Sequence, residues 1–309
     1  MNALPILVVG SFVQDLTFST SRFPSPGETV VGSFLTGPGG KGSNQAVAAR
    51  RAGAEVIFAG AVGEDAFADS VRKFYEEEGI RAELATFPQS PTGTAGILFD
   101  ETGQNEIVVA LGANDHLRPS DIPDTLIHES GIIICQLECN LQAVESVFAR
   151  SAKGSSVRIL NPAPYREDFP PTLLDHTDIL IPNETEFVGL LKRIVENPPT
   201  EEDLEGLSPE AFDSLCRKIG PETVIVTLGD KGAHLSTPDG YERIPAIEGV
   251  RAVDTTGAGD AFVGAFAAGL QRFEFDLSAA VKFATRAAAI SVTRKGTAPA
   301  MAKLEEIVS

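Results

Sequence analysis

The stretch Asp254-Thr255-Thr256-Gly257-Ala258-Gly259-Asp260 sets two carboxylates around a turn of small residues, and AFVGAFAAGL follows at once. Small residues let backbone approach a ligand closely and point successive N–H groups outward. With Phe262 and Phe266 four apart, the Ala-rich run predicts a buried helix starting near Gly259. A helix N-terminus carries about half a positive charge and unpaired donors, which suits a phosphoryl group gathering negative charge. Asp260 beside that anion site could take a proton from an attacking hydroxyl, the minimum equipment for phosphoryl transfer to an alcohol. The same dipole is expected to lower the pKa of Asp260. Asp and Gly also make ordinary helix caps, so the motif alone leaves both readings open.

A second candidate is the glycine run Gly37-Pro38-Gly39-Gly40-Lys41-Gly42-Ser43-Asn44. It matches GxGxxG, with Glu64-Asp65 at about the ~20-residue distance of a dinucleotide site, but that fingerprint must leave the first strand directly. Here the first strand ends near Gly10, far upstream. Nor is this a Walker A loop, because Gly42 follows Lys41 where Ser or Thr is needed. The better reading is close approach of Gly40, Lys41, Gly42 and Asn44 to a polyhydroxylated ligand, with a helix starting near Asn44. A flexible loop feeding a helix is the alternative.

The elements that must position these residues alternate. Apolar runs at Ile6–Val9, Val56–Val62, Ile132–Leu137, Val157–Leu160, Ile179–Ile181 and Val224–Leu228 read as strands. Between them Asn44–Ala52, Ala66–Glu78, Leu141–Ala152, Glu184–Val195 and Pro209–Ile219 read as helices, and the chain is largely helical after Ala261. Continuous apolarity marks strands buried on both faces, hence a mainly parallel sheet between helices. Glu28–Gly37 and Thr94–Leu111 break the rhythm and read as a small separate sheet that could cover a cleft or pair with a second copy. The acidic segment Asn197–Glu210 reads as a solvated loop.

The 309 residues carry a net charge of −18, which argues against nucleic acid and anionic membrane surfaces as partners. An anionic phosphate donor would then need local donors and a divalent metal to enter. No apolar run approaches the roughly 20 residues of a membrane span, and no basic leader precedes the first strand. Cys135, Cys139 and Cys216 form no CxxC pair and the four histidines show no ligand spacing, so a reduced cytoplasmic setting without structural metal is expected.

Taken together, the motifs form an ordered series. PGGKGSNQAVAARRAG (Pro38–Gly53) and DTTGAGDAFVGAF (Asp254–Phe266) stand with GSFVQD (Gly10–Asp15), FPSPGETV (Phe23–Val30), QLE (Gln136–Glu138), NPAP (Asn161–Pro164), PNETE (Pro182–Glu186), TLGDKG (Thr227–Gly232) and VTRKGTAP (Val292–Pro299). In this series the chain resembles the ribokinase family of ATP-dependent sugar kinases, the PfkB group, over nearly its whole length. The resemblance implies one domain, 1–309, with a three-layer α/β fold. It also implies a β lid from about residues 15–37 and 94–111, through which two copies pair as a homodimer.

It further implies ATP as co-substrate, Mg²⁺, and a monovalent cation, usually K⁺. By resemblance Asp260 is the base and Gly257, Ala258 and Gly259 form the anion hole. Sugar contacts fall on Asp15, Gly40, Lys41, Gly42, Asn44 and Glu138. Nucleotide contacts fall on Asn183, Gly259, Thr285 and the loop Thr227, Leu228, Gly229, Asp230, Lys231 and Gly232, with Glu186 placing Mg²⁺ through water. The cation site falls on Asp254, Thr256, Ser291, Arg294, Gly296 and Ala300. Read from the residues alone, Asp15 and Glu138 could be surface acids at strand ends, Asn183 and Glu186 a capping box, and Lys231 a solvated side chain.

Two departures stand out: Thr285 replaces a nucleotide-site His, and Val13 replaces the sugar-contacting Asn of ribokinases. A hydrophobe cannot bond a hydroxyl, so strict ribose preference is placed in doubt. The expected reaction is phosphorylation of the terminal 5-hydroxyl of D-ribose to D-ribose 5-phosphate. The alternatives are a kinase of 2-deoxyribose, another sugar or a nucleoside, and a non-catalytic sugar-binding regulator on the same fold. The intact Asp260 and its turn weigh against the last.

Overall fold

The computed structural model describes residues 3–309. In chain order its strands are β1 (Ile6–Val9), β2 (Val13–Ser19), β3 (Ser33–Gly39), β4 (Val56–Val62), β5 (Arg81–Thr86), β6 (Thr94–Phe99) and β7 (Asn105–Ala110). Then follow β8 (Ile132–Cys135), β9 (Val157–Leu160), β10 (Ile179–Leu180), β11 (Thr223–Thr227), β12 (Ala233–Thr237) and β13 (Gly240–Ile244). The helices are α1 (Lys41–Arg51), α2 (Ala66–Glu78), α3 (Asp124–His128), α4 (Leu141–Ser151), α5 (Thr172–Asp175) and α6 (Glu184–Leu191). After them come α7 (Glu201–Glu205), α8 (Pro209–Ile219), α9 (Ala258–Arg272), α10 (Leu277–Ser291) and α11 (Leu304–Val308).

Nine strands form one sheet in the order β13-β12-β11-β10-β9-β8-β1-β4-β5. It is parallel from β5 to β11, and β12 and β13 extend it antiparallel. In β1, Ile6 and Val8 enter one apolar layer and Leu7 and Val9 the other, all fully buried. Period-two alternation with both faces buried is why the strands read as unbroken apolar runs. One layer is filled by α1, α2, α9 and α10, the other by α4, α6 and α8. At the contact of α1 and α9, a Cβ added to Gly264 would lie 2.3 Å from the Gln45 carbonyl oxygen. Only glycine allows the two helices to approach this closely.

Strand β1 is flanked by β4, whose crossover helix α1 precedes it, and by β8, reached from the opposite direction. Ligands of such sheets bind where the strand order reverses, beyond the carboxyl ends of the strands. Four strands in the order β3-β2-β6-β7 form a separate mixed sheet over that edge.

Several boundaries differ from expectation. The lid strand expected at Glu28–Gly37 begins only at Ser33, because Glu28 is spent on Arg22 and on the Ser25 amide in a turn. Helix α1 starts at Lys41, ahead of the expected Asn44. Helix α6 stops at Leu191, before the expected Val195, where exposed Lys192–Ile194 offer no packed face. The segment 197–210 is not all loop: Thr200 and Asp203 form a capping box that starts α7, and Leu204 is buried. Among the described residues no helix is long and apolar enough to cross a membrane.

Candidate active site

Gly257 caps α9 in the left-handed region, φ 78°, which turns the chain sharply enough for the helix to begin at Ala258. Of the three small-residue amides, that of Ala258 donates to the Thr255 carbonyl at 3.2 Å. Gly257 and Gly259 therefore carry most of what the turn can offer an anion. Asp260, one residue on, is 7% exposed. Its Oδ2 accepts from Asn44 Nδ2 at 3.0 Å and its Oδ1 from Gln45 Nε2 at 2.9 Å.

The pKa of Asp260 is raised, contrary to the expected lowering. Burial outweighs the charge of Lys41 and the donors of Gln45 and Asn44, and Glu138 adds repulsion. A carboxylate so placed is a better base than the helix dipole alone would leave it.

On one side of Asp260 lies a cluster of acids around Lys41. Lys41 is held charged there: burial opposes its charge, but Asp260, Glu138 and Glu186 together outweigh it. Glu138 Oε2 accepts from Ser11 Oγ at 2.5 Å and from the Lys41 amide at 2.8 Å, so it caps the start of α1. Gly40 and Gly42 lie on either side of Lys41, and the Gly42 amide leans toward Ser11 Oγ at 3.4 Å. Asn44 Oδ1 is buried without a hydrogen-bond partner, an acceptor awaiting a donor.

Asp15 enters this cluster from lid strand β2. Burial, then the charge of Glu138, pushes its carboxyl up to about 7, with a hydrogen bond from Thr297 acting the other way and Asp260 adding repulsion. Val13 lies two residues before it on the same strand face and packs with Ala95 and Ile97.

On the other side a cleft of about 530 Å³ runs from the turn outward. Asn183, Thr227, Gly229, Asp230, Gly232, Gly259 and Thr285 line it. A smaller cavity of about 140 Å³, lined by Lys41, Glu186, Gly257 and Asp260 among others, shares Asn183, Thr227, Thr255, Ala258 and Gly259 with it. The two are one continuous path to Asp260. Glu186 accepts from the Asn183 amide and side chain at 2.9 and 3.1 Å, so the capping box exists and also faces the cavity. Burial raises its pKa, against the Asn183 amide and Lys41.

Not every candidate converges. Leu228 is buried in the core layer of α6 and α8, and Lys231 turns its ammonium to Glu205 at 2.5 Å. The sequence reading missed the apolar wall of the cleft, Ala246, Ile247, Val250, Ala252, Phe262, Ala288, Ala289 and Val292. It also missed Ser11, Gln45, Gln136 and Asn161 around the carboxylates. Their only local signal was position, each inside or beside a recognised motif.

Beneath the turn, Asp254 ties two loops: Oδ1 accepts from the Thr256 amide and Oδ2 from the Gly296 amide, both at 2.9 Å. The Val253 and Asp254 amides bond the Val292 carbonyl at the end of α10. Arg294 points its guanidinium to Glu306, Ser291 Oγ donates to the Ala288 carbonyl, and Ala300 is buried. What this set offers a cation is one carboxylate and main-chain oxygens. Among the described residues no three His, Cys, Asp or Glu side chains cluster as metal ligands.

A glycine turn at a helix N-terminus, a buried carboxylate beside it, a long cleft on one side and an acid cluster on the other suit an α/β phosphotransferase. A profile of the pfkB family carbohydrate kinases matches residues 4–304, and the chain belongs to that family. It is 34% identical to a ribokinase of Schizosaccharomyces pombe over 98% of this chain and 96% of the relative. It is 35% identical to a deoxyribokinase of Salmonella typhi over 98% and 97%. The structure of an Arabidopsis thaliana ribokinase complexed with ribose and ATP superposes with a TM-score of 0.85, at 30% identity over 99% of this chain and 98% of that one.

Proposed function

We propose that this carbohydrate kinase transfers the γ-phosphoryl group of ATP to the terminal 5-hydroxyl of D-ribose. The observation that carries the reading is the position of Asp260, which lines the smaller cavity beside the Gly257–Gly259 turn, at the inner end of the path from the cleft. The sugar oxygen bonds the γ-phosphorus as the bond to the β-bridging oxygen breaks, the hydroxyl proton passes to Asp260, and ADP leaves. Such transfer is largely dissociative, so orientation and charge stabilisation matter more than basicity. The Gly257 and Gly259 amides and Lys41 meet the charge on the transferred group.

Asp15, Glu138 and Asn44 accept from sugar hydroxyls, which gives the orphaned Asn44 Oδ1 a partner. The apolar wall of Ile247, Val250 and Val292 takes the adenine.

Both Glu186 oxygens already accept from Asn183, which suits Mg²⁺ held through water rather than directly. The oxygen donors around Asp254 suit a weakly charged monovalent cation. When bound, Mg²⁺ neutralises phosphate charge and K⁺ steadies the loops that carry the turn. Two copies pair through the lid, whose Leu35 and Val108 are 73% and 75% exposed.

A second reading, 2-deoxy-D-ribose as the preferred sugar, is favoured by Val13, an apolar neighbour of Asp15 that offers a 2-hydroxyl nothing. An ATP-consumption assay across D-ribose, 2-deoxy-D-ribose, D-fructose and nucleosides decides. Higher kcat/KM with ribose supports the first reading, and equal or higher kcat/KM with deoxyribose supports the second. Turnover only with nucleosides or fructose contradicts both.

A further inference from the structure

Beside Asp260 the structure holds a line of buried amides to which no role has yet been given; one end of it, Asn161, also lines the smaller cavity. Asn161 Nδ2 donates to the Ile181 carbonyl at 2.8 Å, just beyond β10. A backbone carbonyl can only accept, so the orientation of the Asn161 amide is fixed and its Oδ1 faces the other way. That oxygen accepts from Gln45 Nε2 at 3.0 Å, which in turn fixes Gln45. The same Nε2 carries two protons and donates the second to Asp260 Oδ1 at 2.9 Å, while Gln45 Oε1 accepts from Gln136 Nε2 at 2.6 Å. Gln45 and Gln136 are fully buried and Asn161 is 7% exposed.

A structural amide in a core needs only partners. Here the partner at the end of the line is the carboxylate of the reaction, and its donor cannot flip without unpairing two neighbours. Leaving buried polar groups unpaired is costly, so the Asn161 and Gln45 amides are each held in one orientation, while Gln136 Oε1 is itself without a partner.

We propose that Gln45 is a positioning residue for phosphoryl transfer: braced by Asn161 and Gln136, it holds the Asp260 carboxylate in one rotamer facing the sugar hydroxyl. The inference rests on the reading of Asp260 as the base. Asn44 holds the opposite oxygen of the carboxylate but belongs to the sugar pocket. Gln45 lies beside the carboxylate and touches no ligand, so its loss acts through Asp260 alone.

The test is steady-state kinetics of Gln45→Leu, which keeps the bulk and removes the donors. Misplacing a reacting group by about 1 Å costs on the order of 100-fold in rate. The expected result is therefore kcat lower by about 100-fold, with KM for sugar and ATP within about threefold of wild type. The Gln45 donor favours ionised Asp260 against burial, so its loss also moves the acid limb of kcat to higher pH. The charged groups around Asp260, namely Lys41 on α1, Glu138 after β8, Glu186 on α6 and Asp15 on β2, are unchanged in the variant.

Asn161→Ala, which keeps the Gln45 contact but removes its brace, should show the same pattern at about 10-fold. It carries the test alone if Gln45→Leu does not fold. A kcat and acid limb like wild type in whichever of these variants folds, with Asp260→Asn inactive, overturns the inference and spares the base. Loss of kcat with an equal rise of KM for both substrates also overturns it, because that marks general disruption. Wild-type turnover in Asp260→Asn removes the base and this inference together.

Discussion

The two carboxylates assigned above to the reaction and to the sugar, Asp260 and Asp15, are built differently. Asp260 stands on a helix buried along its length, with an amide on each oxygen and a second rank of amides behind. Asp15 stands on a lid whose two outer strands, β3 and β7, are largely exposed, and its bond from Thr297 spans 3.5 Å. Elements with little buried apolar area open at low cost, whereas packed ones do not. On the proposed reading, the base keeps its place while the lid moves with the substrate. That reading assigns chemistry to the rigid side and selection to the movable one.

That contrast can be broken from either side. The largest effect is expected from Asp260→Asn, which keeps the shape and removes the proton acceptor. General-base contributions run to about 10²–10⁴-fold, so kcat should fall by about 100- to 10,000-fold while sugar binding, read by calorimetry, stays within about threefold. Weak sugar binding in that variant would show that the rigid side also selects.

Asp15→Asn should do the reverse, raising sugar KM by about 10- to 100-fold with kcat and ATP KM little changed. It also carries a pH signature. The folded carboxyl titrates near 7 against an ordinary 3.8, so the native state holds a proton that the unfolded chain has released across that window. Stability from this group is present below the unfolded value and lost as pH rises through about 7. In the absence of sugar, Asp15→Asn should therefore have a higher Tm than wild type at pH 8 and a similar one at pH 4. Sugar KM of the wild type should rise as pH falls below 7, as the carboxylate loses its acceptor, and that slope should vanish in the variant. An unchanged slope would place the pH dependence elsewhere.

The sequence was most legible where chemistry and periodicity are local. Ala66–Glu78 and Pro209–Ile219 are the helices their caps and apolar spacing predict, and Val56–Val62 is the strand its unbroken apolarity predicts. Glycine turns and acids showed where an anion and a hydroxyl could meet. What stayed hidden depends on distance along the chain. Gln45 reads as one more residue of an Ala-rich helix, because its partners lie 91, 116 and 215 positions away. The direction of the Asp260 shift was misjudged for a related reason: a helix start is visible in sequence, and the depth of burial that outweighs it is not. Lys231 matched its motif, yet its partner Glu205 lies in a segment whose short helix polar composition conceals.

The most direct test is a crystal structure with D-ribose and a non-hydrolysable ATP analogue bound together. The 5-hydroxyl should lie within about 2.6–3.2 Å of an Asp260 carboxylate oxygen, with the Gly257 and Gly259 amides turned to the γ-phosphate. A sugar whose terminal hydroxyl points away from Asp260, or a γ-phosphate bound remote from that turn, would contradict the account.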